Sequence, residues 1–370
     1  MSDLLHCLLI DSSYPINTRN LKIIDTLNNN FPNMYCSFIT WNRDGRPINS
    51  KDKNMPIYKK KAGYGKLMKK LVSLIGYYHF LKRYNQEKQP AVLIASHWDM
   101  LLLGALMKKK EQLLIYENLD IPTHENLWVL GCLRKLEKWT LRKADAIVFA
   151  SRFFVDLYSW FNKPQFVLEN KPLATSDVCG QEVGEVKGCF TVSFIGAVRY
   201  GDILENLIEA VRGDGEIQLY IHGEGADLNR LVAFSRNSSN IHFTGRYEVT
   251  QLPKLYMTSD IVWAAYPNKD FNVKYAISNK YHESIQYCVP CIYAENTKLG
   301  DFVLEHNLGY VVNPYSVEDI RKCIDNIKNN KQQLHRMREC LKGYIDKEET
   351  WKEQFLPFHQ YLVSIMESEC

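Results

Sequence analysis

The sequence predicts an α/β protein built from two doubly wound parallel-sheet domains facing each other across a cleft. Three observations carry this. The chain has 370 residues, more than one hydrophobic core usually organises. Short apolar runs alternate with longer segments of helical period, the pattern of parallel strands joined by crossover helices. Between the two sets of elements lies a stretch, residues 173–188, that is small and polar with no apolar period, as an interdomain linker should be.

In the first half, LLHCLLID (4–11) reads as a buried strand, followed by a proline-containing turn and the helix NLKIIDTLNNN. MYCSFITWN, AVLIASH (91–97), QLLIYEN (112–118) and DAIVFAS (145–151) read as further strands. DMLLLGALMKKK, residues 125–143 and FFVDLYSWF read as helices, and QFVLENKP runs into a break. In the second half the strands are FTVSFIG (190–196), EIQLYIHG, IHFTG, DIVWAAYP, VPCIYAE and LGYVVNP. The intervening helices include ILENLIEAVRG, with Leu204, Leu207, Ile208 and Val211 on one face, and SNKYHESIQYC. The final amphipathic segment, 350–370, is expected to pack back onto the first domain. The expected domains are thus 1–172 with that returning helix, and 189–349.

Composition excludes several classes. Apolar residues make up 46% and charged residues 24%, as in ordinary soluble globular chains. The N-terminus has no basic region followed by an apolar stretch, and no run of roughly 18 apolar residues occurs, so the expected location is the cytoplasm. Ten cysteines without framework spacing read as reduced thiols. Cys288 and Cys291 form a C-x-x-C, but no second pair or histidine cluster completes a zinc site, and no metal site is expected.

The net charge of +4 is small, but its distribution is uneven: Lys51 to Tyr84 holds ten basic residues against the single acid Asp52. Within 59–84, Leu67, Leu71, Leu74, Tyr78 and Leu81 fall at helical spacing. That stripe suits either a core-facing helix with a solvated basic rim or an in-plane helix at the inner face of a membrane. Nucleic acid is not expected, because the aromatics lie on the apolar stripe and not among the cations.

The stretch 266–297, YPNKDFNVKYAISNKYHESIQYCVPCIYAENT, is the richest chemically. Ser278 is placed as an N-cap, so free backbone N–H groups and a positive dipole end face a potential phosphate. Lys280 in the first turn adds a point charge, and Glu283, one turn on, can accept two hydrogen bonds from ribose hydroxyls. Local physics alone fits an ordinary capped helix equally. His97, at a strand end, is open to a structural or a direct role, and Asp99 reads as the N-cap of the following helix. Glu117 and Asp120 are candidate polar contacts to a sugar, or solvated loop acids.

S-N-K-x-x-E-S-I-Q-x-x-V-P (278–290) resembles the corresponding segment of retaining GT-B glycosyltransferases of family four. FIGAVRYGDILENLIEAV, LYIHGEGADLNRL, IHFTGRY, ASHWDMLLLGAL, LIYEN, LRKADAIVFASRFF and LENKP follow in that family's order, so the resemblance spans nearly the whole chain. It implies two Rossmann-like domains and retaining transfer from a nucleoside-diphosphate sugar, with UDP favoured and no other cofactor. Metal independence is expected because no D-x-D pair occurs at a strand end and the positive groups around Lys280 can offset leaving-group charge. The acceptor would be a saccharide or lipid-linked saccharide, in surface polysaccharide or glycoconjugate assembly. By the same resemblance Glu283 binds the donor ribose, and Lys280, Ser278 and Asn279 hold the diphosphate. Gly196 and Arg199 line the phosphate loop, Gly223 lets backbone approach the nucleotide, and Arg246 and Tyr247 border the base. His97, Glu117 and Asp120 are the catalytic candidates.

The chain departs from the family pattern in several places. The second glutamate, eight residues before Glu283, is Tyr275. The basic residues of the glycine loop are replaced by Ala197 and Asp202, and the first-domain histidine by Leu119. Two rivals follow: a catalytically silent nucleotide-binding or partner protein of this fold, and a sugar-nucleotide epimerase. A dehydrogenase is disfavoured, because Gly223-x-Gly225 lacks the third glycine and distal acid of a nicotinamide fingerprint.

Overall fold

The computed structural model describes residues 4–62, 67–173 and 188–368, with the side chains of 67–71 and 366–368 outside that set. Most of the linker read at 173–188, and the stripe residues Leu67 and Leu71, therefore lie outside what is described. The chain divides into two compact units, Met1–Glu169 with Glu353–Cys370, and Asn170–Lys352.

The first unit is built on strands β1 (Leu5–Asp11), β2 (Met34–Trp41), β3 (Ile57–Tyr58), β4 (Val92–Ser96), β5 (Leu113–Asn118), β6 (Ala146–Phe149) and β7 (Gln165–Val167). They form one seven-stranded sheet in the order β3-β2-β1-β4-β5-β6-β7, parallel throughout. Helices α1 (Thr18–Asn30), α2 (Leu67–Lys88), α3 (Trp98–Met107) and α4 (Leu127–Leu141) are its crossovers. Leu8, Leu9 and Ile10 of β1 are fully buried, as a central strand covered on both faces requires.

Two local readings change. Residues 152–158 form a 3-10 helix and not an α-helix; Phe153, Phe154 and Val155 in succession are poor α-helix formers because each loses side-chain freedom against the preceding turn. Among the described side chains of α2 the buried ones are Ser73, Tyr77, Leu81 and Asn85, so from Ser73 onward the core face is rotated by about one residue from the leucine stripe. Tyr77 sets the rotation: its hydroxyl donates to the carbonyl of Asp11 at 2.8 Å. Gly76 provides the clearance, since a Cβ there would stand 2.1 Å from the Tyr58 hydroxyl. Val72 and Ile75 consequently face solvent, at 54% and 61% exposure.

The second unit contains β8 (Phe190–Ile195), β9 (Ile217–His222), β10 (Ile241–Gly245), β11 (Ile261–Trp263), β12 (Cys291–Ala294) and β13 (Gly309–Val312). Their order is β10-β9-β8-β11-β12-β13, again all parallel. Its helices are α5 (Gly201–Val211), α6 (Leu228–Phe234), α7 (Leu252–Met257), α8 (Phe271–Tyr275), α9 (Asn279–Tyr287), α10 (Lys298–Glu305), α11 (Val317–Asn329) and α12 (Lys331–Tyr344). Leu204, Leu207, Ile208 and Val211 of α5 are buried, the face expected from their spacing. Each contributes about 1.5–3 kcal/mol of transfer free energy.

The last helix, α13 (Trp351–Ser368), returns to the first unit. Phe355 and His359 stack on Phe31, Phe358 and Tyr361 lie against Phe166, and the Tyr361 hydroxyl donates to the carbonyl of Asp145.

Candidate functional site

Open α/β sheets place ligands beyond the carboxyl ends of the strands where the strand order reverses. In the second unit that point lies between β8 and β11. Gly196 follows β8, Gly223 follows β9, and both have positive φ, +148° and +135°. A Cβ on Gly223 would come within 1.9 Å of the Gly196 carbonyl oxygen. The two turns therefore pack backbone against backbone, and only glycine fits.

Lys280, in the first turn of α9, is buried, and its ammonium is directed at this pair of turns. Its Nζ donates to the Tyr266 hydroxyl at 2.8 Å and sits 4.8 Å from the Phe194 ring centroid. A Cβ on Gly196 would lie 3.1 Å from the same Nζ. Burial pushes the ammonium towards neutrality, but Tyr266, Glu283 and Tyr247 outweigh it, and the net shift is upward. A permanent cation is thus held at the strand ends. Ser278 is the N-cap by backbone conformation, yet its hydroxyl makes no cap bond and is buried without a protein partner. Asn279 is exposed, and its side-chain oxygen accepts from Asn170 Nδ2 at 2.9 Å.

Glu283 is half-buried one turn along α9, and one carboxylate oxygen accepts from the Tyr256 hydroxyl at 2.7 Å. Burial, and then the Glu283 charge, push the Tyr247 phenol up, so Tyr247 shares the electrostatic neighbourhood of Glu283 and Lys280. Arg199 and Arg246 are exposed; the Arg199 guanidinium lies 5.0 Å from the Tyr200 ring centroid. The structure thus gathers Gly196, Gly223, Lys280, Glu283 and Tyr247, and leaves the two arginines on the surface. It adds Phe194, Tyr256 and Tyr266, which sequence reasoning missed. Only Tyr266 carried a signal: it stands just past the strand DIVWAA, where ligand contacts concentrate.

In the first unit the strand order reverses between β1 and β4. The carboxyl ends there hold a buried polar network. Arg19 Nε donates to Glu117 Oε1 at 2.9 Å, and the Ser96 hydroxyl donates to Glu117 Oε2. Asn20 bridges Asp11 and Ser96, at 2.7 and 3.0 Å. Glu117 is therefore held by an ion pair with no solvent access, while Asp120 is exposed on the loop beyond β5. Arg19 carried no sequence signal, because it sits in the polar first turn of α1, between Thr18 and Asn20.

His97 is the N-cap of α3, with φ 71° and ψ 158°, a combination almost confined to glycine. Its amide donates to the Glu117 carbonyl at 3.2 Å, so the backbone links these two candidates. Asp99, expected as the cap, lies inside the first turn and is buried. Of the C-x-x-C pair, Cys291 is buried and carries a free thiol. Cys288 is the C-cap of α9, at φ 54°.

Both units have the architecture of GT-B glycosyltransferases, two parallel doubly wound sheets with crossover helices. Sucrose-phosphate synthase from Thermosynechococcus elongatus superposes with a TM-score of 0.76 at 14% identity, over 98% of this chain and 99% of that one. HepE of Anabaena in complex with UDP-glucose gives 0.72 at 14% identity, over 97% and 99%. The lipopolysaccharide outer core galactosyltransferase WaaB, in its apo form, gives 0.65 at 14% identity, over 97% and 99%. Residues 181–342, which include every candidate of the second unit, match the family Glycosyl transferases group 1. No curated protein matches the chain in sequence.

Proposed function

We propose that this protein transfers a glycosyl group from a nucleoside-diphosphate sugar to a hydroxyl acceptor, with retention of configuration, in surface polysaccharide or glycoconjugate assembly. The observation that carries this is the buried Lys280 cation set against the Gly196 and Gly223 turns, with Glu283 one helical turn away, inside the segment matching Glycosyl transferases group 1. In this reading Lys280 and the N-terminus of α9, with Ser278 and Asn279, neutralise the departing diphosphate, so no metal ion is required for that task. Glu283, oriented by Tyr256, takes the ribose hydroxyls, and Tyr247 with Arg246 borders the base. Arg199 reaches the diphosphate from the exposed side of the loop. UDP is the favoured nucleotide, since HepE is seen with UDP-glucose.

His97 and Asp120 are proposed to contact the reacting sugar or acceptor. Glu117 is proposed as a positioning residue, acting through Arg19 and the His97 amide. The strained backbone of His97 supports its role, because such conformations persist where function holds them. A lipid-linked acceptor accounts for the basic segment 59–84 as a membrane contact, with Val72 and Ile75 exposed on it.

Thermal shift against UDP, GDP, ADP, CMP and their sugar conjugates tests the donor site, with Glu283→Ala and Lys280→Met alongside. One diphosphate should stabilise the protein, and both variants should weaken its binding by about tenfold to a hundredfold, the worth of a charge-assisted hydrogen bond. Folded protein that no nucleotide stabilises overturns the reading. Stabilisation without sugar release or transfer favours the silent binding protein.

A further inference from the structure

The outward face of α4 has a composition that the donor-site chemistry does not use. Its first turn is fixed by Asn126, whose side chain accepts from the amides of Trp128 and Val129. That cap presents Leu127 and Trp128 at 81% and 78% exposure, and Trp139 emerges further along the helix at 47%. Large apolar side chains this exposed on neighbouring positions mark interaction surfaces more often than solvated ones.

Along the helix itself the exposed charges have one sign, and Glu125 is exposed just ahead of the cap. Glu137 is the sole acid of α4, and it is turned inward, where its carboxylate accepts from the hydroxyls of Tyr116 and Tyr158 at 2.8 Å each. Arg134, Lys135 and Lys138 are exposed on the helix, and Arg142 and Lys143 follow it. Lys138 Nζ lies 4.5 Å from the Trp160 ring centroid, and Lys143 Nζ 5.7 Å from that of Trp139. Apolar and indole side chains at the helix tip, with cations along the same face and Glu125 as the one exposed acid beside the cap, match the headgroup layer of a bilayer. Indoles settle at that depth, and the cations meet lipid phosphates. No helix among the described residues is long and apolar enough to cross a membrane, so attachment by this face would be in-plane.

We propose that the outward face of α4 docks on an anionic lipid surface, with Leu127 and Trp128 inserted and Lys135 and Lys138 facing the lipid phosphates. The inference does not depend on glycosyl transfer, because vesicle binding is measured without donor or acceptor.

The test is co-sedimentation of the full chain with phosphatidylcholine vesicles, with and without about one third phosphatidylglycerol, at low and high salt. The wild type should bind only the anionic vesicles, and salt should release it. Leu127→Ser/Trp128→Ser and Lys135→Glu/Lys138→Glu should each reduce binding about tenfold or more while melting like the wild type. A parallel Val72→Ser/Ile75→Ser variant separates this face from α2. If only the α2 variant loses binding, the α4 assignment is overturned and the 59–84 contact stands. Absence of binding, or binding indifferent to lipid charge, also overturns it. So does a fall in solution mass in the Leu127/Trp128 variant with vesicle binding intact, which would make the face a contact between copies.

Discussion

Substituting alanine at Gly223 separates two costs that glycines usually combine. The new Cβ would stand 1.9 Å from the Gly196 oxygen and 2.9 Å from its carbon, about 1.5 Å short of the 3.4 Å at which ordinary contact begins. Both opposing atoms are backbone, so relief requires moving the turn after β8 as a whole. Overpacking of this kind costs about 1–3 kcal/mol. Holding alanine at φ +135° adds about 1–3 kcal/mol of strain. Gly213 is the internal control: its φ is +74°, but nothing lies within 4 Å of its Cβ position, so only the conformational cost of about 1 kcal/mol applies. With about 2–4 °C per kcal/mol for units of this size, Gly213→Ala should lower the melting temperature by about 3 °C and Gly223→Ala by about 4–24 °C. Calorimetry of both variants without ligand decides it. Equal losses would refute the claim that the two turns are locked backbone to backbone.

Glu117→Gln should destabilise the first unit by about 3–5 kcal/mol, because it leaves the buried Arg19 guanidinium without its counter-charge. Arg19→Met/Glu117→Leu should recover most of that loss, and urea titration of both variants checks it. Burial pushes the His222 imidazole below its ordinary value, as it does for His359. The unfolded chain therefore takes up protons first, and stability held above pH 6.5 should be lost as pH falls from there towards the folded-state pKa. Melting temperatures from pH 7.5 to 5 should show this fall, and His222→Gln should make it shallower.

The fold was legible because parallel strands buried on both faces leave continuous apolar runs, and helices such as α5 leave a clean 3.6-residue period. Legibility failed where packing was decided by something other than leucine. In α2 the face is set by the Tyr77 hydroxyl reaching β1, with Ser73 and Asn85 turned inward, and no hydropathy pattern reports a hydrogen bond across a sheet. Helix α12 went unread because only three of its fourteen residues, Leu334, Met337 and Leu341, are buried apolar anchors. At the candidate site, Ser278, Lys280 and Glu283 were readable because they share one short helix. Tyr256 and Tyr266 come from other crossovers and meet them only in the folded unit. Glu117 looked like an available carboxylate, because its partner Arg19 stands ninety-eight positions away in the chain.

The return of α13 to the first unit has a consequence for biosynthesis. Phe355, Phe358 and Leu362 are buried there, yet they leave the ribosome only after the whole contiguous stretch Asn170–Lys352 has been made. Domains fold as units during synthesis when their sequence is continuous. Here the later-begun unit is complete first, and the earlier one waits with the groove around Phe31 and Phe166 uncovered. The half of the protein that starts the chain is finished by its end, which leaves an apolar surface in need of shielding for as long as the second half takes to translate.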